Sequence, residues 1–206
     1  MSHEPPHAPL QTSPLQAPPQ APQPQEPPSQ ARAAEHYAAF LNALGIGGDP
    51  DAQQTAARVA SLMWDWTSTA RQPQTLTLST FDAPNHPDWV VVKGLHFYSF
   101  CIHHMVPFFG TVDIALLPSL HLVGFNALAR LVSHLSRRPQ LQEDLAATLL
   151  DALRAQVTPS AALVRVTARQ LCMEMRDHPC PTPCVSYASH HLETSQKDLI
   201  LKMLTP

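Results

Sequence analysis

The sequence predicts an α+β fold: an antiparallel sheet with a helix pair packed on one face, preceded by N-terminal helices and a disordered tail. Three observations lead there. Segments 105–117 and 162–174 alternate apolar and polar residues with the period of a strand. Between them, 125–136 and 139–156 carry leucines at helical spacing. The order is therefore helices, strands, two helices, strands, helix. Strands do not alternate singly with helices, so a parallel α/β sheet is not expected.

The elements follow in order. Ten of the 22 prolines fall within residues 1–30, among Gln and Ala and with almost no large apolar side chains. Such a stretch cannot offset the entropy of ordering itself, so 1–31 reads as a disordered Pro/Gln-rich tail and 32–206 as one domain. Residues 32–46 place Tyr37, Phe40, Leu41 and Leu44 at helical spacing before Gly45 and Gly47. A second helix is expected over 51–70, capped by Asp49 or Asp51. Residues 72–88 read as a loop, and 89–100 as a strand broken at Gly94. In 105–117, Val112, Ile114 and Leu116 share one face.

The spacing of Phe125, Leu128, Leu131 and Leu135 predicts one side of a helix. Pro139 is expected in the first turn of the next, whose stripe is Leu141, Leu145, Leu149 and Leu153. The short link 137–139 makes the two helices a hairpin. In 162–174, Val164, Val166, Ala168, Gln170 and Cys172 share one face, and Arg165, Thr167 and Arg169 the other. A last strand is expected at 184–190 and a short terminal helix at 194–204.

Composition excludes some functions. Net charge is −3 with no basic stripe, which argues against nucleic acid as a partner but allows a small anionic substrate. No apolar run approaches the roughly 18–20 residues that span a bilayer, and no signal-peptide pattern opens the chain. The expectation is a cytoplasmic protein without membrane contact.

Cys101-Ile102-His103-His104 is the most informative segment. Thiolate and imidazole are ligands that zinc prefers, and Cys101 and His104 can bind one ion from a single turn. Cys172 lies far along the chain among apolar neighbours. Three protein ligands would leave a fourth position for water, the pattern of a catalytic zinc site. On spacing alone, cysteines packed in a core remain an alternative. Cys180 and Cys184, in HPCPTPC, stay open between loop residues and a second metal or redox site.

These residues sit in longer motifs. FYSFCIHHMVPFFGTVDIALLP (97–118), VGFNALARLV (123–132), RRPQLQEDL (137–145) and ARQLCMEMR (168–176) together resemble GTP cyclohydrolase I, in the right order over roughly residues 35–190. The resemblance implies a tunnelling-fold barrel built by several subunits, usually a homo-oligomeric decamer, with active sites between subunits. It implies Zn2+ held by Cys101, His104 and Cys172, and His103 in acid/base steps. It implies Glu143 on the guanine edge of GTP, with Gln142 beside it. A carboxylate suits that task because guanine presents two neighbouring N–H donors. Arg58, Arg130 and Arg176 match arginines that grip the triphosphate. The implied reaction is hydrolytic: water adds at C8 of guanine, the imidazole ring opens and C8 leaves as formate. The ribose then rearranges and recloses to give 7,8-dihydroneopterin triphosphate, a precursor of tetrahydrofolate and other pterins.

Four departures fall at the implied site. The family's histidine two residues before the last zinc cysteine is Gln170, a catalytic position now held by a group that does not titrate. The Ser-Lys pair at the phosphate end is Asn126-Ala127, and the glutamate after the first cysteine is Ile102. The segment after Arg176 lacks the family's Ser/Thr-rich run. Three readings follow: a divergent cyclohydrolase in which His178 or a neighbour replaces the lost histidine, a paralogue with a ring-opened or different product, or a non-catalytic subunit joined to an intact homologue.

Overall fold

The structure, a computed structural model, describes residues 27–71, 75–82, 88–175 and 181–204. Residues 1–26 of the stretch read as a tail lie outside them. Helix α1 (Gln30–Ala43) begins at the end of that stretch, where the Ser29 hydroxyl accepts the N–H of Arg32. It packs along α2 (Thr55–Trp66). The single helix expected over 51–70 is three pieces: a 3-10 turn at Pro50–Ala52, α2, and α3 (Ser68–Arg71). Gln54, not an aspartate, stands at the N-cap of α2. The break at Thr67 has a local cause. Its hydroxyl and its N–H both donate to the Met63 carbonyl, closing the helix end.

Inside the stretch read as a loop, β1 (Thr80–Asp82) forms a two-stranded antiparallel sheet with β4 (His121–Val123). Between them in sequence run β2 (Val90–Cys101) and β3 (Pro107–Leu117). β2 is not interrupted at Gly94. Its register shifts between Val92 and Leu95, where Gly94 takes φ +75° and donates its N–H to Asp113 Oδ1 at 2.8 Å. This is a bulge, with the left-handed conformation that glycine adopts without steric penalty.

The helix pair comes next: α4 (Phe125–Ser136), a two-residue strand β5 (Pro139–Gln140), and α5 (Gln142–Val157). Two expectations fail here. Phe125 is 65% exposed, and the buried side of α4 is Leu128, Leu131 and Val132. Pro139 does not open a helix. It pairs beside Phe100, so β5 runs parallel to the end of β2, and α5 starts three residues later. Leu145, Leu149 and Leu153 are fully buried as their spacing predicts, whereas Leu141 is the N-cap residue.

The chain ends with β6 (Ala161–Gln170), a single turn α6 (Leu171–Glu174), β7 (Cys184–His190) and α7 (Thr194–Leu204). The main sheet has the order β5-β2-β3-β6-β7 and is antiparallel except for β5. The α+β architecture expected from sequence is present. Val112, Ile114, Val164 and Val166 pack with the leucines of α4 and α5 on one face. The opposite face is covered in part by α7, whose Ile200 and Leu204 bury Ala115 and Leu163. Among the described residues, no helix is long and apolar enough to cross a membrane.

Candidate metal centre and active site

The site lies where three strand or helix ends meet on the α5 side of the sheet. β2 ends at Cys101 and the chain turns back at once. The N–H groups of His104 and Met105 both donate to the Cys101 carbonyl, and the Cys101 N–H donates to Val106. Met105 adopts φ +51° to close this turn. The result folds His104 over Cys101, with Sγ and Nδ1 3.7 Å apart. Cys101 is buried in the core and Cys172 packs against it.

Sequence alternation placed Cys172 on a strand. The strand instead ends at Gln170, opposite Phe108, and Cys172 belongs to the α6 turn. A bidentate ion pair between Arg169 and Glu174 spans that turn, with Nε to Oε1 at 2.8 Å. The hydrogen bond from Arg169 holds the Glu174 carboxyl below the usual range, although partial desolvation opposes it. Arg169 is raised in return, by its hydrogen bond and charge contact with Glu174.

The ligand atoms of Cys101, His104 and Cys172 all lie within 4.8 Å of one another. They fit a metal ion. A tetrahedral zinc site with bonds of about 2.3 Å to sulfur and about 2.0 Å to nitrogen has S···N edges of about 3.6 Å. The donor set, two thiols and one imidazole, is the soft, borderline kind that zinc takes. It is the one group of three or more such side chains among the described residues.

The remaining site residues fall into two groups. His103 is exposed beside the cluster, its ring edge-on to His104 at 6.1 Å. Glu143 is exposed on the first turn of α5, where an acidic side chain complements the helix dipole, and accepts a long 3.5 Å bond from Ser186. Gln142 is 4% exposed, and its role differs from the one expected beside Glu143. Its Nε2 donates to the carbonyls of Val166 and Cys184, both at 3.0 Å, and its Oε1 accepts from Gln170 Nε2 at 2.8 Å. It ties the start of α5 to two strands.

Among the described residues, the cationic ones do not join these. Arg58, exposed on α2, donates to Gln54 one turn earlier. Asn126 is exposed in the first turn of α4. Arg130 lines an open groove of about 390 Å³ with Ser68, Thr69, Ser133, His134 and Arg137, and no metal-cluster residue lines it. Arg176, His178 and Cys180 lie outside the described residues, while Cys184 is a free thiol 3.9 Å from the Met173 sulfur.

Sequence reading missed the part played by Gln140. It pairs beside Cys101, and its carbonyl accepts the Ile102 N–H at 3.3 Å. Its amide donates to Leu135 O and Ser99 Oγ, and Ser99 in turn donates to Arg138 O. This buried network fixes the strand end that carries Cys101. The signal was present in the Arg-Arg-Pro-Gln run, where a polar residue after proline sits between two apolar helices.

Comparison with known proteins identifies the family. A family model described as GTP cyclohydrolase I matches residues 33–198. The chain is 38% identical over 146 residues to GTP cyclohydrolase 1 of Helicobacter hepaticus, covering 68% of this chain and 71% of that one. It is 39% identical over 139 residues to that of Thermobifida fusca, with 65% and 67% covered. A Streptococcus pyogenes relative of the same name is 41% identical over 142 residues, with 66% and 72% covered. Among solved structures, the archaeosine synthase QueF-Like in its apo form aligns with a TM-score of 0.46 at 19% identity, covering 53% of this chain and 99% of that one. A family match across most of the domain, joined to three potential ligands brought together from distant parts of the chain, leads to one conclusion: the chain belongs to the GTP cyclohydrolase I family.

Proposed function

We propose that this chain is a zinc-dependent GTP cyclohydrolase that opens the imidazole ring of GTP, releases formate and forms 7,8-dihydroneopterin triphosphate. The observation that carries the proposal is the convergence of Cys101, His104 and Cys172 in a member of this family. These residues would hold the ion, which when bound would supply Lewis acidity and activate water. Glu143, at the N-terminus of α5, accepts the paired N–H donors of guanine. His103, exposed beside the cluster, moves protons to and from the purine, a task suited to an imidazole, which both donates and accepts hydrogen bonds. Arg58, Arg130 and Arg176 bind the triphosphate. Arg130 already shares a groove with Arg137, which supports an anion-binding role. The chain acts in the cytoplasm as a homo-oligomer, decameric by family resemblance, with sites completed between subunits.

Gln170 favours a second reading. An amide at a position where the family carries histidine cannot pass a proton at neutral pH, so the reaction could stop at the ring-opened formamide. One assay separates the two. Zinc-loaded protein given GTP is expected to release formate and to yield a pterin that fluoresces after oxidation. A ring-opened product without either would establish the arrested reaction. No turnover, in protein carrying one zinc per chain, would refute both.

A further inference from the structure

Gln142 and Gln170 form a short chain of amides whose orientation is set by the backbone. Gln142 Nε2 lies 3.0 Å from two carbonyl oxygens, those of Val166 and Cys184. A carbonyl only accepts, so the atom facing both must be the nitrogen. The other end of that amide, Oε1, therefore faces Gln170. At 2.8 Å, the atom it meets must be a donor, which fixes Gln170 Nε2 inward and leaves Gln170 Oε1 turned away from Gln142. Gln142 is buried, so water does not compete for these bonds. Gln170 is the last residue of β6, two residues before the Cys172 ligand, and it is partly exposed.

We propose that Gln142 is a positioning residue that locks the Gln170 amide so that its carbonyl oxygen is offered to the purine ligand as a fixed, non-titrating hydrogen-bond acceptor. The inference about the ligand rests on the proposed activity; the lock itself does not. An acceptor that cannot take a proton contributes to binding and orientation rather than to proton transfer. Its loss therefore appears in KM more than in kcat. Releasing the lock lets the Gln170 side chain rotate, so the ligand bears the entropy of ordering it.

The test has two arms on the zinc-loaded full chain. In the first, selective 15N labelling of glutamine follows side-chain amide exchange. Both Gln142 protons are expected to exchange at least about a hundredfold more slowly than those of free glutamine, and exchange at the free rate would overturn the lock. In the second, Gln142→Met, Gln170→Met and the double variant are compared with GTP as substrate. Each single change is expected to raise KM about tenfold, the size of one hydrogen bond, with kcat within about threefold. The double variant is expected to be no worse than either single one, because Gln142 acts only through the Gln170 acceptor, which Gln170→Met already removes. Effects that multiply, or a loss confined to kcat, would overturn the positioning role. If the unaltered protein does not turn over GTP, the proposed activity fails, while the exchange measurement still judges the lock.

Discussion

His190 ends β7 with its ring tilted 31° against that of His191, centroids 3.9 Å apart. Partial desolvation pushes its pKa below the usual histidine value, and the charges of His191 and Arg154 push in the same direction. The consequence for stability has a definite sign. Below the ordinary value near 6.5, the unfolded chain takes up a proton that the folded chain refuses, so stability is lost as pH falls through the window between the two values. His190→Asn is expected to remove that part of the slope. Thermal midpoints measured from pH 7.5 to pH 5 should fall less in the variant than in the parent. Parallel curves would show that His190 contributes nothing. At this same scale, Gln142 shows how burial redirects a side chain: a residue expected beside the ligand is instead saturated by two carbonyls and another amide.

Elements set the spacing of the site, and β3 and β6 set it most tightly. Gly110 pairs with Ala168, two residues before Gln170. A Cβ on Gly110 would fall 2.0 Å from the Thr167 carbonyl and 2.8 Å from the Ala168 Cα, both of them backbone atoms that cannot swing aside. Gly110→Ala is therefore expected to destabilise the fold by about 1–3 kcal/mol, read from urea unfolding. It should also disturb the approach of Cys172 to Cys101 and His104, since the displaced strand leads into the turn that carries Cys172. Unchanged stability would mean that the two strands separate without penalty at this point. The glycine was legible in the sequence as part of the Pro-Phe-Phe-Gly run, but the reason for it was not. That reason is the close approach of another strand, distant in the chain.

At the scale of the whole molecule, one face of the sheet is covered by α4 and α5 and the other in part by α7. Asp113 is 3% exposed and pairs with Arg165 at 2.6 Å, while also accepting the Gly94 N–H. Arg165 reaches on to the carbonyl of Leu204, so one ion pair joins the bulge in β2, two central strands and the end of α7. Removing one partner strands the other in a place poor in water. Asp113→Ala is expected to cost about 3–5 kcal/mol, and Asp113→Ala combined with Arg165→Met to recover much of it. Denaturant midpoints would measure both. A loss under about 1 kcal/mol in the single variant would show that Arg165 finds solvent or another partner.

Local chemistry determined much of this protein. Period-two and helical spacing are properties of a few neighbouring residues, so most strands and helices, including the buried stripe Leu145, Leu149 and Leu153, could be read from the chain. The types of the candidate metal-binding residues could be read for the same reason. The tertiary structure alone decided that Cys172 meets Cys101 and His104, that Pro139 opens a strand rather than a helix, that Phe125 faces outward, and that Gln142 is a latch. Each depends on atoms far apart in sequence competing for the same contact. Periodicity and composition report what a residue favours, but the contact it finally makes is set by what the rest of the fold brings against it.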